Sequence, residues 1–201
     1  MTYGFESLEQ VLAGVVGCIA ADQIILEHGL SIGKTNSATA ILLRNKFNLT
    51  LLSQLLFLAQ NQPEISVKAV SLISCINKAS NEFDSSSLEL NIERDKPLMD
   101  VLADKKCLTA CLVIILCLIK LENLTTRKIK VGIRRRGGYV SVKFEAGSSK
   151  SSPSYLGPVL AYTDHVLSAY SGNLDWRLVS KKRVVFLRLG LAKQMPLDYN
   201  R

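Results

Sequence analysis

Two histidines stand next to carboxylate residues in this sequence, and each pair could do acid–base or group-transfer chemistry. His28 follows Glu27, and His165 follows Asp164. An imidazole that a carboxylate orients can accept a proton or a phosphoryl group near neutral pH. Gly29 comes directly after His28, which predicts that His28 lies at a helix end as a solvent-facing or capping residue. His28 is therefore a secondary candidate for a phosphoryl acceptor, and His165 is given no catalytic role.

The cysteines do not have the spacing of a metal site. All five lie in apolar, helix-like stretches, and no Cys-x-x-Cys pair occurs; they are Cys18, Cys75, Cys107, Cys111 and Cys117. Thiols in this setting are typical of small buried hydrophobic residues in a reducing cytosol. With only two histidines to assist, the sequence predicts no metal and no cofactor.

One glycine-rich segment resembles a phosphate-binding loop without matching it. Gly29-Leu-Ser-Ile-Gly33-Lys34-Thr35 is one residue shorter than the Gly-x4-Gly-Lys-Thr pattern. It also joins two predicted helices, whereas a phosphate-binding loop follows a strand. We interpret the segment as a connection between helices.

The charge is divided unevenly along the chain, with a formal total of +8. Residues 1–100 carry a balance of −4 and residues 101–201 a balance of +12. The densest basic run is Arg134, Arg135 and Arg136, and a second cluster lies at 181–183. A nucleic-acid surface needs aromatic side chains among such charges, and only Tyr139 is near. The pattern favours an acidic protein partner over nucleic acid, with a solvated hairpin edge as the plain alternative.

Hydrophobic periodicity predicts a helical hairpin at the N-terminus. Apolar residues recur at helical spacing over 6–27 and 38–59, and the apolar face of the second helix is wider than one partner helix can cover. Two such hairpins can form a four-helix bundle in a homodimer. Asn61-Gln62-Pro63 interrupts the pattern, which predicts a hairpin domain of residues 1–62 and a second domain of residues 63–201.

The second domain is predicted to be a mixed sheet with helices on one face, which makes the whole chain α+β. Gly137-Gly138 predicts a tight turn between two strands. The predicted helices cover 65–80, 105–121 and 155–170, and the predicted strands cover 87–93, 98–102, 127–135, 138–145, 174–180 and 182–190.

No segment of the sequence predicts a membrane association. The apolar run at 107–121 falls short of the ~20 residues that a membrane span needs, and it reads as a buried core helix. The first residues lack the basic start of a signal peptide. We expect a soluble, cytoplasmic protein.

Three motifs resemble the dimerisation and catalytic domains of histidine kinases. Asp104-x-x-x-Leu108 resembles the entry to the asparagine-bearing helix of that family. The stretch from Val140 to Gly147 resembles the strand that ends in Asp-x-Gly, and Leu156-Gly157-Pro158, followed by Ser171-Gly172, resembles the glycine-bearing helix and the turn after it. The resemblance covers nearly the whole chain. It implies an antiparallel helical hairpin followed by a histidine-kinase-like ATPase α/β sandwich.

The positions that bind nucleotide in this family are altered here. Aligned on Leu108, the two asparagines of the family fall at Ile114 and Leu118, and a hydrocarbon side chain cannot ligate Mg²⁺. The adenine-reading aspartate becomes Glu145. The neighbouring Gly147 is kept, and the next glycine box keeps only Gly157. The resemblance therefore implies a degenerate site that does not bind ATP.

This combination is similar to the ChpT-type bacterial histidine phosphotransferases, which have a kinase core with a degenerate lobe and no lid. The apolar run at 112–119 and the segment Ile25-Leu26-Glu27-His28-Gly29-Leu30 carry the likeness. That family transfers phosphoryl groups between receiver domains through a histidine of the first helix. In this register its His-Asp pair falls at Gly17-Cys18, so the acceptor is missing.

The leading hypothesis is a dimeric phosphorelay adaptor that binds receiver domains of response regulators or hybrid kinases without relaying phosphate. The expected receiver contacts lie on the flank of the first helix; they are Val15, Ile19, Ala20 and Gln23. Three alternatives stay open: an active phosphotransferase that uses His28, a basic nucleic-acid-binding protein, and a purely structural dimerisation module.

Overall fold

The computed structural model of the chain describes residues 5–31, 35–61, 67–83, 88–92, 99–122, 124, 128–146, 154–179 and 182–192. Within these residues the chain contains a helical hairpin and a five-stranded sheet with helices on one face. The expected α+β class is confirmed. The predicted domain boundary at 62/63 lies outside the described residues.

The hairpin consists of α1 (Phe5–Ser31) and α2 (Thr35–Asn61), which pack against each other. Both helices are longer than predicted. Gly29 lies inside α1 rather than beyond its end, because a single glycine costs a helix only about 1 kcal/mol, which packing can offset.

The second part of the chain is a mixed sheet built around one long apolar helix. After β1 (Lys68–Ser71), α3 (Leu72–Phe83), β2 (Leu88–Ile92) and β3 (Asp100–Ala103) comes α4 (Lys105–Glu122). Next come β4 (Ile129–Arg136), β5 (Tyr139–Glu145), α5 (Leu156–Ser168), β6 (Asn173–Val179) and β7 (Lys182–Gly190). The sheet order is β2-β4-β5-β7-β6, parallel only between β2 and β4, and β1 pairs with β3 separately.

The β4–β5 turn follows from its glycines. Gly137 has a φ of +57°, a left-handed conformation that glycine adopts without the steric cost of a Cβ atom. The two-residue loop then reverses the chain and sets the register from Arg136–Tyr139 to Lys130–Glu145. The hairpin that Gly137-Gly138 predicts is confirmed.

Helix α4 lies at the centre of the molecule. Asp104 caps its start, because its carboxylate accepts the backbone N–H groups of Lys106 and Cys107 at 2.8 and 2.9 Å. Every residue of α4 from Cys107 onward is buried. One continuous hydrophobic core joins α4 to the sheet, to α3 and α5, and to the inner face of α2. The hairpin and the sheet domain are therefore packed together, and α2 forms one wall of the core.

One element of the sheet domain was missed by the sequence prediction. The segment expected to be helical over 65–80 begins as strand β1 and becomes α3 only at Leu72. Val70 and Leu72 also fit the helical periodicity of the residues that follow. Pairing of β1 with β3, a contact distant in sequence, decides the conformation.

Among the described helices, one has the length and composition of a membrane span. The segment Leu8–His28 of α1 meets this test, while α4 does not. Signal sequences and core helices of soluble proteins have the same composition. In the structure, α1 packs on α2 and α5, and its Leu8, Val11 and Val15 are buried in the core.

Candidate functional site

The nucleotide-binding positions of the resembled family are filled with hydrocarbon. Ile114 and Leu118 lie on α4 and are both 0% exposed. The hairpin helix α2 packs along α4 and contributes Leu51, Leu55 and Leu58 to the same core. A triphosphate and its metal ion need polar ligands and space. The centre of α4 offers neither.

The thiols of α4 are inert for the same reason. Cys111 and Cys117 are completely buried, and desolvation raises the pKa of each thiol well above its ordinary value of 9.0. A thiol that stays protonated is a poor nucleophile and a poor metal ligand. Among the described residues, no group of three or more His, Cys, Asp or Glu side chains could hold a metal ion.

Glu145, which the resemblance places at an altered position of the nucleotide site, does not face the helices. Val140, Val142, Phe144 and Ala146 are buried on the helix-covered side of the sheet. Alternation along β5 therefore turns Glu145 to the opposite face, where its carboxylate accepts a hydrogen bond from Lys143 Nζ at 2.8 Å. Ala146, and not Glu145, faces the helices at the end of this strand.

Of the two glycines that the resemblance places at the nucleotide site, the structure describes Gly157 but not Gly147. Gly157 lies in the first turn of α5, is exposed, and has no atom within 4 Å of the place a Cβ would take. Gly147, together with the rest of 147–153, lies outside the described residues. The structure therefore shows no pocket wall that depends on Gly157.

Gly17, where the sequence resemblance places the phosphoryl acceptor of the family, is open to solvent. Gly17 is exposed in the middle of α1, and nothing lies within 4 Å of a Cβ placed there. Cys18, the next residue, is half-buried. The backbone at this position therefore has room for a larger side chain, although the sequence supplies none.

The four residues expected to contact a receiver do not form one surface. Val15 is 0% exposed within the chain's own core, so its side chain is not available to a partner, and that assignment is corrected. Ile19 is half-buried, while Ala20 and Gln23 are exposed. Gln23 donates a hydrogen bond to Glu27 one turn later at 3.4 Å. Ala20 and Gln23 are the residues of this set that a partner can reach.

His28 is exposed in the last turn of α1, which runs on to Ser31. His28 lies eleven positions after Gly17, which places the two about 16 Å apart along the helix axis and within about 20° of the same face. His165 is exposed on α5. The neighbouring Asp164 accepts the backbone N–H of Leu174 at 2.6 Å, so that carboxylate ties α5 to β6.

A polar cluster that sequence analysis did not find lies between the hairpin and α5. Asp22 of α1 is buried and accepts two hydrogen bonds from the Arg44 guanidinium of α2, one of them at 2.6 Å from Nε. That pairing raises the pKa of Arg44 above its usual value. One turn further along α2, the Tyr155 hydroxyl donates to Asn48 Oδ1 at 2.6 Å.

The surroundings of Tyr155 show how closely the hairpin meets the sheet domain. Burial, with a smaller contribution from Cys18, raises the pKa of Tyr155 far above its usual value of 10.0. Gly14 of α1 lies so near that a Cβ there would be 3.1 Å from the Tyr155 Cβ. The cluster fixes α1 and α2 against the start of α5. Its signal in the sequence is a charged residue within the apolar stretch of each helix, Asp22 in α1 and Arg44 in α2.

The comparisons with known proteins find structural likeness without sequence likeness. The sequence matches no protein-family model and no curated protein. Histidine kinase AdeS of Acinetobacter baumannii superposes with a TM-score of 0.55 at 14% identity, over 89% of this chain and 98% of the other. Histidine kinase ThkA, in its complex with response regulator protein TrrA, superposes with a TM-score of 0.61 at 12% identity over 92% of this chain.

These likenesses define the fold. The catalytic domain of ThkA alone superposes with a TM-score of 0.51 at 15% identity, over 63% of this chain and 97% of the other. The chain spans 62% of the ThkA chain in the complex. The architecture is that of a histidine-kinase-like ATPase domain preceded by a helical region, as the sequence motifs predicted.

Proposed function

We propose that this chain is a dimeric, cytoplasmic phosphorelay adaptor, similar to a ChpT-type histidine phosphotransferase, that binds receiver domains without binding ATP or accepting a phosphoryl group. The observation that carries the proposal is a histidine-kinase fold over 92% of the chain in which Ile114 and Leu118 are buried hydrocarbons. The frame, meaning the fold, is kept, while the ligands, meaning the side chains that would bind nucleotide and metal, are replaced by hydrocarbon. A binding role needs the frame, whereas a kinase also needs the ligands.

A receiver domain is the partner that best fits the retained hairpin. ThkA, which shares this fold, forms a complex with the response regulator protein TrrA. In this chain, Ala20 and Gln23 present an exposed flank of α1. Gly17, where the acceptor would stand, lies about one turn before Ala20. A receiver on this surface would face a glycine, so binding would proceed without transfer.

The exposed side of α2 supports a homodimer. Leu42, Leu49 and Leu56 recur every seven residues and are between 42% and 57% exposed. Leu52 and Ala59, at the intervening positions of the heptad, are half-buried. An apolar seam with this spacing is the pattern by which helices pack in bundles. A second hairpin would cover the seam and complete a four-helix bundle.

The receiver proposal is tested by measuring binding of a panel of receiver domains from the source organism, phosphorylated and unphosphorylated, to the immobilised chain. Ala20→Asp should weaken binding at least tenfold if the α1 flank is the contact. Ala69→Asp changes an exposed alanine of β1 in the same way and should leave affinity unchanged. Equal affinities of the two variants would assign the receiver to another surface. Absence of binding by every receiver would refute the adaptor.

The dimer proposal is tested by light scattering coupled to size-exclusion chromatography. Leu49→Glu places a charge in the apolar seam and should convert a dimer to a monomer. Leu102→Glu alters a leucine of β3 that is 43% exposed and should leave the mass unchanged. A wild-type chain that is monomeric at every concentration would refute the dimer.

A second candidate function is phosphotransfer through His28, because His28 is exposed on the same face of α1 as Gly17. A transferase would acquire acid-labile label from a phosphorylated receiver within minutes. Loss of that label in His28→Ala, with receiver binding retained, would establish this candidate in place of the adaptor. Absence of label in the wild-type chain, with binding present, would remove it.

A further inference from the structure

The face of the five-stranded sheet that the helices leave open is strongly basic. Successive side chains of a strand point to opposite faces of the sheet. In β4, β5, β7 and β6, every second residue points toward the helices, and the residues between them point to the open face. The described cations there are Lys130, Arg134, Arg136, Lys143, Arg177 and Arg188. The described carboxylates on these four strands are Glu145 and Asp175. The excess of positive charge is local and does not depend on the chain's total charge.

Both carboxylates already pair with cations of the same face. Glu145 accepts a hydrogen bond from Lys143 at 2.8 Å, and Asp175 forms an ion pair with Arg177. Charges so neutralised add little to the field of the surface. Three further cations of this face, Lys130, Arg134 and Arg136, lie on β4, and Arg188 lies on β7. The three consecutive arginines lie on different sides of strand β4. Arg134 and Arg136 lie on the open face, and Arg135 lies on the side that faces the helices.

Two aromatic rings lie among these cations. Tyr139 is 37% exposed at the turn end of β5, and the Arg188 guanidinium lies 5.9 Å from its ring centre. Phe186 of β7 stands opposite Lys143 in the register. Gly132 of β4 has no atom within 4 Å of a Cβ position. The result is a cleft of about 360 Å³, lined by the cations of β4 and by both rings.

We propose that this cleft binds single-stranded nucleic acid. Cations that follow neighbouring strands can contact successive phosphates, and aromatic rings between them offer stacking platforms for unpaired bases. An acidic protein surface would use the cations alone. A duplex hides its base faces from Tyr139 and Phe186. The sequence-based expectation of an acidic protein partner relied on Tyr139 as the only nearby ring, and the structure adds Phe186 to the same surface.

The proposal is separate from receiver binding, because the open sheet face and the α1 flank share no residue. Its test is the fluorescence anisotropy of labelled oligothymidylate and oligouridylate, titrated with the full chain over a series of salt concentrations. The wild-type chain should bind both, with affinity that falls as salt rises. Arg136→Gln combined with Arg188→Gln should weaken binding about tenfold at low salt and reduce the salt slope by about 1.4, or 0.7 for each lost phosphate contact.

Arg135→Gln is the matched control, because it removes one positive charge from the same hairpin on the other side of the strand. Its affinity should stay within about twofold of the wild type if the open face is the site. If Arg135→Gln weakens oligonucleotide binding as much as Arg136→Gln or Arg188→Gln does alone, the attraction to the basic protein is non-specific, and the proposal is overturned. Circular dichroism melting curves establish that each variant is folded.

A ring substitution separates nucleic acid from other polyanions. Tyr139→Leu keeps the charge and removes a stacking surface, and it should weaken oligonucleotide binding by about tenfold. Polyglutamate and a duplex of equal length should compete poorly with the labelled strand. If polyglutamate competes equally and Tyr139→Leu binds as well as the wild type, the face is a docking surface for acidic proteins. If no oligonucleotide binds at low salt, the cleft is not a nucleic-acid site.

Discussion

Helices α1 and α4 each contain positions where the sequence resemblance places reactive residues of histidine kinases, and the two helices differ at these positions. On α4 the positions are filled: Ile114 and Leu118 are completely buried, with α2 packed along the helix. On α1 the position is vacated: Gly17 is exposed, and a Cβ there would touch nothing. Because Ile114 and Leu118 are part of the core, replacing them with polar ligands would lower the free energy of unfolding. A larger side chain at Gly17 would enter open space and carry no such cost.

The comparison also explains what each helix now does. The hydrocarbons of α4 form the centre of a core that joins the hairpin to the sheet domain. The exposed flank of α1 keeps a surface that a partner can reach. The α4 positions therefore contribute to stability, whereas the α1 position remains open to solvent. The following predictions test this difference, from the largest expected effect to the smallest.

The first prediction tests whether the α4 site is filled. Ile114→Asn, which places the amide of the resembled family in the core, should lower the free energy of unfolding by about 4 kcal/mol, because it removes a buried hydrocarbon and buries an unpaired amide. Urea denaturation followed by circular dichroism measures this loss. Ile24→Asn, at a position 68% exposed on α1, should change it by less than about 0.5 kcal/mol. A stable Ile114→Asn variant that bound ATP would show that the site is not filled.

The second prediction concerns the buried charge of α1. Arg44→Leu should lower the free energy of unfolding by about 2 kcal/mol, because the buried Asp22 carboxylate loses both hydrogen bonds. Adding Asp22→Leu should restore most of that loss, since replacing both members of a buried pair is far less costly than removing one. If the double variant is as unstable as the sum of the single variants, the pairing of Asp22 with Arg44 is not the source of the effect.

The third prediction uses the thiols of α4 as probes of burial. Burial raises the pKa of Cys117 above 9.0 in the folded chain, so above pH 9 the unfolded chain releases a proton that the folded chain keeps. Stability contributed by the protonated thiol is therefore present below pH 9 and lost as the pH rises. Between pH 8 and 10 the wild type should lose about 1.4 kcal/mol more than Cys117→Ala. Equal losses in urea denaturation would place that thiol in contact with solvent.

The fourth prediction tests whether the α1 site is vacated. Gly17→His should leave the free energy of unfolding within about 1 kcal/mol of the wild type, because the side chain enters open space and histidine favours a helix over glycine. If receivers dock beside this position, the variant should acquire acid-labile phosphoryl label that the wild type lacks. Gly157→His, at an equally open helical glycine of α5, should acquire none. Equal labelling of both variants would contradict a specific docking surface.

Most of the fold could be predicted from the sequence because it is encoded locally. The β4–β5 hairpin follows from Gly137-Gly138, and α4 follows from its capping Asp104 and an unbroken apolar run. Strand β1 was missed because its four residues gain their conformation from pairing with β3, about thirty residues away. Patterns within a short window do not contain that information.

The candidate site was less accessible to prediction because it depends on side-chain direction. Adjacent residues of a strand point to opposite faces, so Glu145 lies on the open face while its neighbour Ala146 lies against the helices. Val15 and Ala20 were both expected at a partner surface, yet their angular positions on α1 leave only Ala20 exposed. The loss of Asn at Ile114 and Leu118 could be recognised from residue type alone. The packing of α2 against that helix could not.

The position of α2 in the core has a consequence for the order in which the protein is made. During synthesis α2 is complete at Asn61, but α4, against which its inner face packs, is complete only at Glu122. At common elongation rates the ribosome needs about 3 to 12 s to add the intervening residues. Throughout that interval the inner face of α2 lacks its contact with α4, and Leu42, Leu49 and Leu56 on the other side are exposed as well. The nascent hairpin therefore exposes more apolar surface of α2 to solvent than the finished chain does.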